Sequence, residues 1–179
     1  MKTKRTDATT SERKRILSVT IKHTIDADPD TSYLGEYSGR ATSDFSIDRR
    51  ERGDAGRNEF QYFNPSFNYV DKNGKPTDNL TPEEVTAYTE QDYQRMEALN
   101  NCGWHYLGIS ATAEVQLTGD LTQKVRSGGL WGIESDSDKS YFAEVESDEL
   151  ANLKTELHAM GFSKRAITAA FRDVQRSDD

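Results

Sequence analysis

The chain has 179 residues, 34% of them apolar, with 23 Lys and Arg against 31 Asp and Glu for a formal charge of -8. That length suits one domain with a real core, and the acidic balance argues against a surface that coats nucleic acid throughout, because phosphate neutralisation needs clustered cations. A single cysteine, Cys102, allows neither an intrachain disulfide nor a cysteine-built metal site, and the absence of any run of about 18 uncharged apolar residues means that neither a signal peptide nor a membrane span is expected.

Residues 1 to 14 are polar and basic and are expected to form a disordered arm. From Leu17 to Ile25, apolar residues alternate with Ser18, Thr20, Lys22 and Thr24, which predicts a strand with one buried face. The run Asp26-Ala-Asp-Pro-Asp30 ends it. Residues 31 to 58 read as a long irregular region with a short strand near Phe45 to Ile47, and Glu59 to Phe63 reads as extended. Thr81-Pro82-Glu83-Glu84 predicts a helix start with a capping box. Val85, Tyr88, Asp92, Met96 and Leu99, widened by Tyr93, predict its inward stripe, with a stop near Asn100.

His105 to Leu117 alternates as a second strand, turned at Thr118-Gly-Asp120 and answered by Leu121 to Arg126. Leu130-Trp-Gly-Ile133 continues beyond a glycine pair whose simplest role is to let Trp131 lie flat on a neighbouring strand. Ser147 can cap a helix carrying Leu150, Leu153, Leu157 and Met160, Gly161 stops it, and Ser163 caps a second helix with Ile167, Ala170, Phe171 and Val174. The order predicts an α+β fold over residues 15 to 176. An antiparallel sheet of about four to five strands packs on helices and ends in a C-terminal helical hairpin.

Charge is unevenly placed. Residues 134 to 160 hold eight acids against Lys139 and Lys154, a local balance of -6. Glu134, Asp136, Asp138, Glu144, Glu146, Asp148 and Glu149 are therefore candidate contacts for a basic surface, whose attraction reaches roughly 8 to 10 Å at physiological salt. A second candidate is the region of residues 33 to 58, where Tyr33, Glu36 and Tyr37 precede Arg49, Arg50 and Arg52. Arginine forks and exposed tyrosines are common where one protein grips another.

Catalytic chemistry finds less support. Asp26, Asp28 and Asp30 begin like a calcium loop but lack its glycine and its closing acid. His23 with Asp26, Asp28 or Glu36 is the combination that best suggests a small metal-dependent hydrolase, and it supplies no complete ligand set. Neither cofactor nor resident metal is expected, and no catalytic residue is assigned.

Asp30-Thr-Ser-Tyr-Leu-Gly-Glu-Tyr-Ser38, Phe60-Gln-Tyr-Phe-Asn-Pro65, Ser127-Gly-Gly-Leu-Trp-Gly-Ile-Glu-Ser-Asp136 and the closing hairpin resemble a group of uncharacterised small acidic proteins of bacteriophages and other bacterial mobile elements, over residues 15 to 175. One departure is Cys102-Gly103 before Trp104, where the group carries a Gly-Asp pair. The resemblance implies a mobile-element setting in a bacterial cytoplasm and brings no catalytic residues. With the acidic stretch, it leads to the expectation of a non-enzymatic accessory protein that binds a host protein with a basic surface, inhibiting a defence or nucleic-acid-handling complex. Membrane association and direct nucleic-acid binding are not expected. The alternatives are the hydrolase and an adaptor that binds through residues 33 to 58.

Overall fold

The computed structural model describes residues 14–77, 79–117 and 121–178. Its elements are β1 (Arg15–Ile25), β2 (Glu36–Ser38), β3 (Ile47–Asp48), β4 (Tyr62–Asn64), α1 (Pro82–Asn100), β5 (Tyr106–Gln116), β6 (Thr122–Arg126), β7 (Leu130–Glu134), α2 (Lys139–Ala159), α3 (Lys164–Ala170) and β8 (Gln175–Asp178). The fold is α+β. The basic arm lies outside the described residues apart from Lys14, whose Nζ donates to Met160 O at 2.9 Å. The turn at residues 118–120 lies outside them too. Among the described residues, no helix is long and apolar enough to cross a membrane. The described residues gather into two compact units, one ending at Ala27 and resuming at Tyr106, the other Asp28–His105.

The first unit is a five-stranded sheet in the order β6-β5-β1-β8, with β7 also paired to β5. Antiparallel register sets Ile16, Val19, Ile21 and His23 of β1 opposite Val115, Ala113, Ala111 and Ile109 of β5. These four β5 residues are fully buried, as their strict alternation requires. A bulge between Ile16 and Ser18 makes Leu17 the extra residue, so it is half exposed and Ile16 takes the inward place. Val145, Leu153 and Leu157 of α2, with Phe162 and Ile167, complete this core.

Three expectations are corrected here. The sheet is mixed, because β8 runs parallel to β1. The spacing of Ile167, Ala170, Phe171 and Val174 imitates a continuing helix, yet α3 ends at Ala170, and Phe171 and Val174 pack on the core from the turn that leads into β8. Helix α2 begins at Lys139, not after Ser147. Its buried stripe is Val145, Glu149, Leu153 and Leu157, and the glutamate within that stripe hides the first turns from a reading by apolar spacing. The hairpin itself stands, with Ser163 Oγ accepting from Ala166 N at 3.2 Å.

The second unit joins a small antiparallel sheet, β2-β4-β3, to α1. Phe63 is fully buried at its centre, with the Tyr37 and Tyr93 rings 5.4 and 5.3 Å away. The capping box forms as expected: Thr81 Oγ1 accepts from Glu84 N at 3.2 Å and Glu84 Oε2 accepts from Thr81 N at 2.8 Å. The inward stripe of α1 is Val85, Thr89, Tyr93 and Met96, so Tyr88 is partly exposed. Asn64, nearly inaccessible, holds the loop above β4 by accepting from Thr42 N and Ser46 Oγ and donating to Arg40 O.

Asp92 is the exception on this helix. Its Oδ2 is buried without a hydrogen-bond partner, and burial raises the carboxyl pKa above its ordinary value despite a bond from Tyr69. A carboxyl raised in this way contributes most when protonated, and stability falls as the pH climbs through 3.8 toward the folded value. Asp92→Asn is therefore expected to gain about 1 kcal/mol at neutral pH in denaturant unfolding, with little gain at acidic pH. Equal stability of the two proteins at every pH would contradict this.

Candidate functional site

The densest polar constellation lies in the second unit, where the arginine loop meets α1. Burying a guanidinium demands that its donors be met, and Arg49, only 6% exposed, meets four such contacts. Its Nε and Nη2 donate to Glu97 Oε1 at 3.2 and 2.9 Å, Nη1 to Phe60 O at 2.9 Å, and Nη2 also to Asp54 O at 3.2 Å. Its guanidinium carbon stands 4.5 Å from the centre of the Tyr37 ring. Tyr37 donates to Glu97 Oε1 at 2.7 Å and accepts from Asn100 Nδ2 at 2.9 Å, while Tyr93 donates to Asp54 Oδ2 at 2.7 Å.

The electrostatics follow from this closure. Burial, then the bond to Glu97, pushes the Tyr37 phenol far above its ordinary value. Burial, then the bond to Asp54, lifts Tyr93 to about 12. Burial opposes the charge on Arg49, yet Tyr93, Glu97 and Tyr37 together hold its pKa above the ordinary value. Both phenols are thus locked in the neutral form, and Arg49 spends its donors within the protein. An open cleft of about 550 Å³ lies over this network, with Asn58, Glu59, Phe60 and Asn101 among its lining. The network anchors a loop; its central groups are committed to each other.

The other residues singled out in the loop fall into two groups. Arg52 makes a two-pronged bond to Glu90 at 2.8 and 2.7 Å and stands over the Tyr93 ring. Arg50 is exposed, with a long contact to Gln61 Oε1 at 3.4 Å. Tyr33 and Glu36 are exposed. The structure thus joins Tyr37 and Arg49 in one cluster and leaves Arg50, Tyr33 and Glu36 at the surface. Glu97, Asn100 and Asp54 complete the cluster, and sequence reading missed them: no local pattern ties Tyr37 to a residue 60 positions later.

The acidic stretch of the first unit also divides. Glu149 is 6% exposed and accepts from Gly129 N at 2.9 Å, fixing the glycine loop before β7. Glu146 lies 3.1 Å from His23 Nε2 and accepts from Arg176 Nη2 at 2.7 Å. The Arg176 bond, then that of His23, against an opposing effect of burial, holds its carboxyl below the ordinary 4.5. Glu134 is half buried, whereas Asp136, Asp138, Glu144 and Asp148 are exposed. Asp138 occupies the N-cap position of α2 without bonding the helix backbone through its side chain.

Because the Glu146 carboxyl is lowered, it contributes stability above 4.5 that is lost as the pH falls through its folded value. Glu146→Gln is expected to cost about 1 kcal/mol at neutral pH and to flatten the acid limb of the stability profile. An unchanged acid limb in urea unfolding between neutral and acidic pH would contradict the assignment.

The metal-site combination does not assemble. Among the described residues, no group of three or more His, Cys, Asp and Glu is placed to hold a metal ion. His23 is engaged with Glu146 and stacks on Phe142, Asp26 Oδ2 accepts from Gly132 N, and Asp30 Oδ1 caps its own turn at Ser32 N. His105 precedes β5, and the β5 residue opposite His23 is Ile109. No family model, no curated protein and no solved structure matches the chain.

Proposed function

We propose that this is a binding protein that docks a basic surface of another protein on the outer side of α2. The observation that carries the reading is a division of labour along one helix. Val145, Glu149, Leu153 and Leu157 face the core, and a line flanking that stripe carries Tyr141, Glu144 and Asp148, all exposed. Spacings of three and four residues place those side chains one above another. Asp136 and Asp138, also exposed, lie just before the helix start. Four exposed carboxylates beside a partly exposed tyrosine offer charge for steering and a ring for contact. The resemblance to mobile-element proteins suggests the setting: a host protein in a bacterial cytoplasm, whose basic face serves defence or nucleic-acid handling and is obstructed when covered.

Neutralising Asp136, Asp138, Glu144 and Asp148 together to their amides is expected to leave the unfolding midpoint nearly unchanged, since none bears on the core. The same variant is expected to lose low-salt capture of basic proteins from bacterial lysate that the unaltered chain retains. Equal capture by both would sink the reading.

A further inference from the structure

The opposite side of the same sheet carries the reverse charge. Strand alternation that sends Val19, Ile21, Ala111 and Ala113 inward sends Ser18, Thr20, Lys22, Thr112 and Glu114 to the other face, and β6 adds Lys124 and Arg126. Register brings them together: Lys22 stands opposite Ser110, Arg126 opposite Thr112 and Lys124 opposite Glu114. They surround a hollow of about 240 Å³ with three cations, one carboxylate and several hydroxyls. Lys124 and Arg126 are exposed. Counting charges along the chain misses this cluster, because its members come from strands about 100 residues apart in sequence and meet only across the β1–β5–β6 pairing.

One aromatic ring shares this face. A Cβ on Gly108 would point to the side of Ser110 and Thr112 and would meet three adjacent atoms of the Trp131 ring, so the indole lies with its face on the glycine. Its Nε1 edge reaches toward Gly129, beside the Cβ of Ser110. Yet Trp131 is 52% exposed, so its outer surface meets solvent. Apolar contact alone does not explain a tryptophan held flat on a polar sheet.

We propose that this open face binds single-stranded nucleic acid, a base stacking on Trp131 and adjacent phosphates lying against Lys124, Arg126 and Lys22. Successive residues on one face of a strand are roughly 7 Å apart and neighbouring strands about 5 Å, so ring and cations are spaced on the scale of two or three nucleotides. Stacking tolerates any base, and the hydroxyls offer hydrogen bonds to phosphate or sugar without reading sequence. Helix α2 packs on the inward face of the sheet and the cations lie on its other face, so the two readings stand or fall separately.

The test is binding of a fluorescently labelled oligothymidylate to the full chain at low salt, read by anisotropy and by quenching of tryptophan emission. Trp104 is buried under Arg95, so Trp131 is the ring within reach of the strand. Binding with quenching is expected. Trp131→Ala is expected to weaken it about tenfold, and Lys124→Glu with Arg126→Glu to weaken it further and to lower the salt dependence. Glu114→Gln, which removes the one carboxylate of the hollow, is expected to tighten binding. Absence of binding at low salt would overturn the proposal, as would binding that the charge reversals leave unchanged. Displacement of the strand by polyglutamate at equal charge concentration would overturn it in favour of an acidic protein partner.

Discussion

Arg49→Met is expected to destabilise the second unit by about 3 to 5 kcal/mol, the usual cost of breaking one side of a buried ion pair. The substitution fills much of the same volume but leaves the Glu97 carboxylate without its two guanidinium bonds and removes the donors to Phe60 O and Asp54 O. Two controls separate charge from geometry. Arg49→Lys keeps the charge but offers a compact ammonium in place of a fork, so it is expected to lose about half as much. Arg49→Met combined with Glu97→Leu removes both charges and is expected to recover part of the loss, although Tyr37 then lacks its acceptor. Trp104, 3% exposed in the same unit, gives the emission signal for unfolding. A loss below about 1 kcal/mol would mean that the pair contributes no more than a surface bridge.

Gly35→Val is expected to be of similar size, about 3 kcal/mol or more, for reasons in the backbone. Gly35 has φ of +125, a conformation that side-chain-bearing residues rarely adopt. A Cβ there would also collide with Asn64 O and stand 2.8 Å from the Phe63 ring. Neither neighbour can yield cheaply: Phe63 is the fully buried centre of the unit, and the backbone of Asn64 pairs with Glu36 across β2 and β4. Gly39 has open space around its would-be Cβ and serves as the control. Gly39→Ala is expected to stay within about 0.5 kcal/mol of the unaltered chain. Matching midpoints for the Gly35 and Gly39 variants would contradict the packing described around Phe63.

The parts of the fold that could be read from sequence are those whose signal is local. Alternation over residues 17 to 25 and 105 to 117 marked β1 and β5, and the Thr81 box marked the start of α1 to the residue. Parallel pairing of β8 could not be read, because four polar residues, Gln175–Asp178, form a strand only through the partner edge that β1 supplies. The three-residue strands β2 and β4 depend likewise on one another and on Asn64.

Site residues follow the same rule. Composition located the acidic stretch but could not say which carboxylates turn inward. Glu146 is drawn in by His23, 123 positions away, and Glu149 by the backbone of Gly129. The arginine loop was legible as a charged segment, while its anchor, Glu97, sits on a helix whose own pattern gives no hint of the contact. The formal charge of -8 therefore averages over an acidic helix surface and a basic sheet surface that only the paired strands reveal.

The most direct test of the binding role is a titration of the isotopically labelled chain with a lysine-rich peptide, followed by backbone amide shifts. Shifts concentrated at residues 136 to 148, reversed by high salt and absent when Asp136, Asp138, Glu144 and Asp148 are amides, are the expected result. Shifts spread evenly over all exposed acids, or retained in the neutralised variant, would contradict the account.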